Sequence, residues 1–186
     1  MKGTCGEVVG LILLVNTVLP AMISILAPFW IEDVDSHSGL IAKCENECIW
    51  YFEDEAECAD KCKYGSECED DCKWYFENLP LWFKATQGLM CTGLVLGLTA
   101  LIVAIASLSC ACHSCNPHHP ISGFILLSCI SMAAGIIVFG VKANDEWNIE
   151  WKKGSHKWFS WSFWLATAAA TMALLATFIY CCISKK

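Results

Sequence analysis

The sequence predicts a mainly α membrane protein: a four-transmembrane-helix bundle carrying a small disulfide-rich extracellular domain of short helices, a small antiparallel sheet, or both. Three observations lead to this prediction. The 186-residue chain is 56% hydrophobic, which suits several membrane spans better than one soluble domain. Four long apolar runs lack any charged residue or histidine. One acidic loop holds six cysteines within about thirty residues, a composition typical of a covalently cross-linked domain.

The first apolar run, Val8 to Ile31, is long enough to cross a membrane. As a helix its 24 residues would extend about 36 Å, against a hydrocarbon core of about 30 Å. A cleavable signal peptide is the competing interpretation, because Lys2 precedes the run. The run is too long for a signal peptide and ends in Phe29-Trp30 without a small-residue cleavage site, so we predict a retained span.

The remaining apolar runs complete a four-span organisation. The predicted segments are a cytosolic N-terminus 1–7, spans 8–31, 88–111, 121–141 and 159–183, outer loops 32–87 and 142–158, an inner loop 112–120 and a cytosolic C-terminus 184–186. Because transport pathways within a bilayer need ionisable or strongly polar groups, uncharged spans argue against a pump or transporter.

Small residues within the spans are candidates for close helix packing. Gly93 and Gly97 form a GxxxG motif in the second span, and Ala166, Ala170 and Ala173 share one face of the fourth. Packing inside this chain's own bundle is one interpretation, and contact with another subunit is the other.

The orientation rests on two signals that conflict. Lysines near span ends are more numerous in loops 32–87 and 142–157, which would place these loops in the cytoplasm. Clustered cysteines persist as disulfides only in an oxidising compartment, so we weight them more heavily and predict both loops outside. Tryptophans at the outward span ends, such as Trp30, Trp161 and Trp164, are typical of the headgroup boundary.

The cysteine loop contains a short repeat of the form C-x3-C-x-[WY]. Its predicted disulfide cysteines are Cys44, Cys48, Cys58, Cys62, Cys68 and Cys72. Cysteines four apart lie on one helix face, so each pair is expected to clamp onto a neighbouring segment and not to bond internally. Six cysteines allow fifteen connectivities.

Aromatic and acidic residues surround these cysteines. The aromatic residues are Trp50, Tyr51, Phe52, Trp74, Tyr75 and Phe76. They either pack on each other and on the bilayer surface, or form a displayed contact surface for a partner. Between Glu32 and Lys84 there are fifteen acidic residues and five lysines, which makes nucleic acid an improbable partner. No EF-hand spacing is present, so we expect a solvated acidic face and no metal or other cofactor, with weak calcium binding by the loop as the alternative.

Cysteines also cluster near the predicted inner ends of the spans. These candidates for lipidation are Cys110, Cys112, Cys115, Cys181 and Cys182. Juxtamembrane cysteines are typical sites of palmitoylation. Zinc binding through this inner loop is an alternative, although its spacing fits no common zinc finger, and unmodified thiols are a third possibility. No nucleophile with an adjacent base is present, so we do not expect an enzyme.

The chain resembles the four-span claudin superfamily, in particular its branch of peripheral myelin protein, epithelial membrane proteins and lens fibre membrane protein. Trp30, followed by Gly39-Leu40 and then Cys44, is similar to the family signature W…GLW-x2-C, with Ile41 at the position of the second signature Trp. The segment 84–90 resembles the family's entry to the second span, with Gln87 in place of a common Arg, and 159–162 resembles the mouth of the fourth.

The resemblance implies a multi-pass plasma membrane protein, at cell junctions, with an antiparallel sheet in its outer loop. The implied partners are the lipid bilayer together with a second copy or another membrane protein such as a channel, a receptor or a claudin-like protein. The function expected is cell–cell contact or junction and barrier assembly through the disulfide-bonded first outer loop. The alternative is an auxiliary subunit of an ion channel or receptor.

Overall fold

Four long helices form the bulk of the computed structural model, which describes residues 5–33, 36–44, 48–51, 79–109, 118–149 and 157–184. The helices are α1 (Cys5–Leu26), α2 (Leu81–Ser109), α3 (His118–Trp147) and α4 (Trp161–Ser184). Each contains a span long and apolar enough to cross a membrane. The predicted four-helix membrane bundle is therefore confirmed.

Neighbouring helices run antiparallel. The start of α2 meets the end of α3, where Trp82 contacts Trp147, and Gly93 lies against Met132 further along both helices. Likewise Gly10 near the start of α1 lies against Tyr180 near the end of α4. The pairs α2–α3, α1–α4 and α3–α4 share the most extensive contacts, while α1 and α2 meet over a shorter length.

The helices end at different points from the apolar runs. Helix α1 stops at Leu26, five residues before the predicted span end, because the chain turns there and enters a strand. Helix α2 begins at Leu81, directly after Pro80, so its first two turns carry Trp82 and Phe83 in addition to the apolar run. Phe159, predicted as the first residue of the fourth span, lies in a strand.

A five-stranded antiparallel sheet lies at the end of the bundle where α1 finishes and α4 begins. Its strands are β1 (Ile31–Asp33), β2 (His37–Ser38), β3 (Ala42–Cys44), β4 (Cys48–Trp50) and β5 (Lys157–Phe159). The order is β4-β3-β2-β1-β5, so the strand from the second loop pairs with the first strand. The predicted small antiparallel sheet is confirmed.

Aromatic side chains fill the space between this sheet and the bundle. This aromatic cluster combines the residue directly before β1, one residue of β5 and the helix turns nearest the sheet. Its members are Trp30, Trp82, Phe83, Phe139, Trp147, Phe159 and Phe163. Neighbouring rings lie 4.5 to 6.2 Å apart between centroids, which is the range of favourable tilted and edge-to-face contacts. Sheet and bundle therefore share one hydrophobic core.

Candidate contact surface at the sheet end of the bundle

Trp30 fastens the sheet to the helices. Its side chain is fully buried, and its indole N–H donates a 2.7 Å hydrogen bond to the carbonyl of Ser24 in α1. Its backbone N–H donates to Ser38 O at 2.9 Å, and its carbonyl accepts from Ser160 N at 3.0 Å. The ring of Trp30 lies inside the protein core, and its position at the depth of the lipid headgroups stays a prediction.

Gly39 and Leu40 form the closest approach between the sheet and the end of α1. A Cβ at Gly39 would lie 2.5 Å from both Ala27 O and Pro28 Cα, so no larger residue fits without moving the backbone. Leu40 is fully buried, and its carbonyl accepts a hydrogen bond from the Gln87 side chain of α2. The signature residues thus have positioning roles beneath the surface.

The edge strand β4 presents the exposed part of the aromatic set. Trp50 is 40% exposed at the outer edge of the sheet. Tyr51, the next residue, is buried against Phe83 of α2 with 5.7 Å between ring centroids. Of the two interpretations of these aromatic residues, the packed one therefore applies to Tyr51, and this residue does not belong to a displayed contact surface. Phe52, Trp74, Tyr75 and Phe76 lie outside the described residues.

A disulfide links Cys44, the last residue of β3, to Cys48, the first residue of β4, across the turn of the β3–β4 hairpin. The expectation that a C-x3-C pair would not bond internally is wrong for this pair. These residues do not lie on a helical turn: they face each other across an antiparallel ladder, which brings opposed residues together. The other four cysteines of the predicted set, Cys58, Cys62, Cys68 and Cys72, lie outside the described residues.

His37 adjoins this disulfide. One nitrogen of its ring and the sulfurs of Cys44 and Cys48 all lie within 4.8 Å of one another. These three residues are the only group of that kind in the described parts of the chain, and their atoms are of the types that bind zinc. Because the two sulfurs are bonded to each other, they do not provide the thiolates that such a site requires.

Charged side chains lie at the opposite edge of the sheet, where β5 pairs with β1. Lys157 forms a 3.3 Å ion pair with Asp33 across the β1–β5 ladder. The Ser160 hydroxyl donates a 2.8 Å hydrogen bond to the carboxylate of Glu32, directly before the first turn of α4. A carboxylate near a helix N-terminus interacts favourably with the helix dipole, so this contact supports the start of α4.

The predicted packing residues lie inside the bundle. A Cβ at Gly93 would lie 2.5 Å from Met132 Cγ, and one at Gly97 would lie 3.3 Å from Ser128 Oγ. Ala166 is fully buried and Ala170 is 8% exposed. These contacts are within the chain, which favours the interpretation that these small residues pack its own helices together.

Cysteines near the far end of α4 are accessible. Cys181 and Cys182 are both exposed there, while Cys110, Cys112 and Cys115 lie outside the described residues. Palmitoylation of these cysteines stays a prediction.

Sequence reasoning missed three residues that position the surface. His37 belongs to no motif in the sequence, and only the strand register brings it to the disulfide. Ser24 lies within the apolar run of the first span, and its hydroxyl donates a 2.8 Å hydrogen bond to Ser162 O of α4. Gln87 was noted only as a departure from a pattern. A buried serine within an otherwise apolar run was the one available signal, because such hydroxyls bond across helices.

Comparison with known proteins gives a match over most of the chain. A family model described as PMP-22/EMP/MP20/Claudin tight junction matches residues 21–182. No curated protein matches the sequence in a direct search.

Proposed function

Because the chain belongs to the PMP-22/EMP/MP20/claudin family of multi-pass membrane proteins, we propose that it mediates cell–cell contact or junction and barrier assembly through its first outer loop. The observation that carries the proposal is β4, which bears the exposed Trp50 and is an edge strand of the sheet among the residues that the structure describes. An edge strand offers unpaired backbone groups to another chain, and an exposed tryptophan is the residue type that dominates protein interfaces. The role is non-enzymatic and needs no cofactor.

The proposal requires the sheet to lie outside the plasma membrane. The Cys44–Cys48 disulfide supports this orientation, since disulfides persist in oxidising compartments. Trp161 and Trp164, exposed on the first turn of α4, also support a headgroup boundary at this end. In intact cells, we expect a membrane-impermeant maleimide to label Cys44 and Cys48 only after treatment with a membrane-impermeant phosphine. Labelling that requires permeabilisation would contradict this orientation.

A cell-clustering assay tests the contact function. Non-adherent cells that display the protein at equal surface levels should aggregate, and Trp50→Ala should reduce aggregation several-fold without lowering the surface level. Trp161→Ala is the matched control, because Trp161 is 48% exposed but lies on α4 and not on the sheet edge. Wild-type cells that stay dispersed, or a Trp50→Ala variant that aggregates normally, would refute the proposal.

The second candidate function is that of an auxiliary subunit that binds a channel or receptor. Trp161 and Trp164 are three residues apart on one face of α4, next to the sheet, and together they form an exposed patch continuous with the bundle surface. If this patch binds a subunit, a channel or receptor should co-purify in fixed stoichiometry in mild detergent. Trp164→Ala should lose that partner, whereas Trp50→Ala should keep it.

A further inference from the structure

Four residues from four adjacent strands form a continuous row across the sheet. The strand registers place Glu32 opposite His37, His37 opposite Cys44, and Cys44 opposite Cys48. Residues directly opposed in antiparallel strands project from the same face of the sheet. His37 therefore lies between Glu32 on β1, whose carboxylate accepts the hydrogen bond from Ser160, and the disulfide that joins β3 to β4.

The two cysteines of this disulfide differ in exposure. Cys44, in the interior strand β3, is 3% exposed, whereas Cys48 begins the edge strand and is exposed. An incoming thiolate must approach one sulfur along the S–S bond and expel the other. Access favours attack at Cys48, which makes Cys44 the leaving group.

His37 lies beside Cys44, whose departing thiolate would be stabilised by a hydrogen-bond donor. Its ring stacks on Phe29, with 4.3 Å between centroids and 6° between planes, which restricts rotation of the imidazole. A ring nitrogen lies within 4.8 Å of both sulfurs. An imidazole N–H that hydrogen-bonds to a departing thiolate stabilises it, and a better-stabilised leaving group departs faster.

We propose that Cys44–Cys48 is an exchangeable disulfide: Cys48 accepts a low-molecular-weight thiol, and His37 assists departure of the Cys44 thiolate. The incoming thiolate forms a new S–S bond with Cys48 Sγ, the Cys44–Cys48 bond breaks, and its electron pair goes to Cys44 Sγ, which is stabilised by a ring N–H of His37. The incoming sulfur is oxidised to the disulfide level as Cys44 Sγ is reduced to a thiolate, so the low-molecular-weight thiol is the one co-reactant that the step needs. The products are a mixed disulfide at Cys48 and a free thiol at Cys44.

The fold around this bridge does not depend on the bridge alone. The disulfide spans only four residues, so it restricts the unfolded chain less than a bridge that closes a long loop. The hairpin is also held by the β3–β4 ladder and by the 2.9 Å hydrogen bond from Tyr51 N to Ile41 O. Opening the bridge therefore leaves β4 attached to the sheet.

The test uses the full-length protein in lipid nanodiscs with reduced glutathione as the thiol. Iodoacetamide traps any thiol that is released, and peptide mass spectrometry reads each cysteine separately. We expect glutathione on Cys48 together with an alkylated Cys44. Glutathione on Cys44, or no adduct at either residue, would overturn the proposal.

Two variants separate the role of the imidazole from a structural role. His37→Phe keeps a ring for stacking on Phe29 but has no N–H, so trapping at Cys44 should slow about ten-fold. His37→Gln retains an N–H donor without the ring and should recover part of the rate. Equal rates in the wild type and in His37→Phe would refute the role of His37. The measurement requires neither a partner cell nor a particular orientation, so its failure is distinct from failure of the proposed contact function.

Discussion

The indole of Trp30 meets the ring of Phe139 edge-on, with 4.8 Å between ring centroids and 75° between ring planes. Trp30 directly precedes the first strand of the sheet, and Phe139 lies in α3, which does not connect to that strand in sequence. The contact therefore fixes the sheet against a part of the bundle that the chain reaches more than a hundred residues later. The stability of the outer surface depends on the packing beneath it.

Trp30→Phe should destabilise the protein by about 1–3 kcal/mol, because the substitution removes ring volume and leaves the Ser24 carbonyl without its 2.7 Å donor. Thermal unfolding in detergent micelles measures the change. Trp161→Phe is the control: Trp161 is 48% exposed, and its substitution should change stability by less than about 0.5 kcal/mol. Equal effects of the two variants would contradict the anchoring role of Trp30.

Gly39→Ala should reduce the amount of folded protein sharply, with a cost of about 1–3 kcal/mol or more. The new methyl group would meet the backbone of Ala27 and Pro28 at 2.5 Å, and backbone atoms cannot rotate away as a side chain can. Gly88→Ala is the matched control, since nothing lies within 4 Å of its Cβ position. Detergent-resistant yield and unfolding temperature report the difference, and a tolerated Gly39→Ala would disprove the close approach.

Gly93→Ala should weaken packing between α2 and α3. Its Cβ would lie 2.5 Å from Met132 Cγ and 3.2 Å from Ser128 O, and Met132 is fully buried. We expect a loss of about 1–3 kcal/mol, as for other overpacked sites. In Gly97→Ala the nearest atom is 3.3 Å away, so the loss should be smaller. Denaturant titration in micelles compares the two, and the reverse order would contradict the packing described here.

Gln87→Ala should lower the free energy of unfolding by about 1 kcal/mol, because the carbonyl of Leu40 loses its side-chain donor. Gln87→Arg keeps an N–H donor at this position and should retain more stability. Thermal unfolding of both variants checks the order. Should the alanine variant match the wild type while the arginine variant is less stable, the hydrogen bond has no stabilising role.

Cys181→Ser together with Cys182→Ser should remove mass that is sensitive to hydroxylamine, since palmitoyl thioesters are cleaved by that reagent. Both cysteines are exposed at the far end of α4, where an acyl chain can enter the bilayer. Cys91→Ser is a suitable control, because Cys91 is also exposed but lies within the α2 span. A wild-type mass without any acyl chain would refute this prediction.

The sequence predicted the helical spans because hydropathy depends on local composition. It did not predict that α2 begins at Leu81, since Trp82 and Phe83 become helical by packing against α3 and the sheet. Nor could it place Tyr51 in the core, because its partner Phe83 is thirty-two residues away in the chain. Local patterns contain no information about such distant contacts.

The cysteine spacing was misread for a physical reason. Residues four apart lie together both on one helical turn and across a tight hairpin, so the spacing of Cys44 and Cys48 fits either structure. The family resemblance, which implies a sheet in the outer loop, was the better guide. His37 is placed beside Cys44 by the register of a different strand pair, β2 and β3, which the residue spacing does not reveal.

The pairing of β5 with β1 has a consequence for biosynthesis. Because Lys157–Phe159 supplies the last strand, the hydrogen-bonding edge of Ile31–Asp33 stays open until three of the four helices have been synthesised and inserted. A nascent chain that has not reached this point carries an unpaired strand edge, and such edges make incomplete chains prone to aggregation. The sheet can therefore be completed only after most of the bundle has been synthesised.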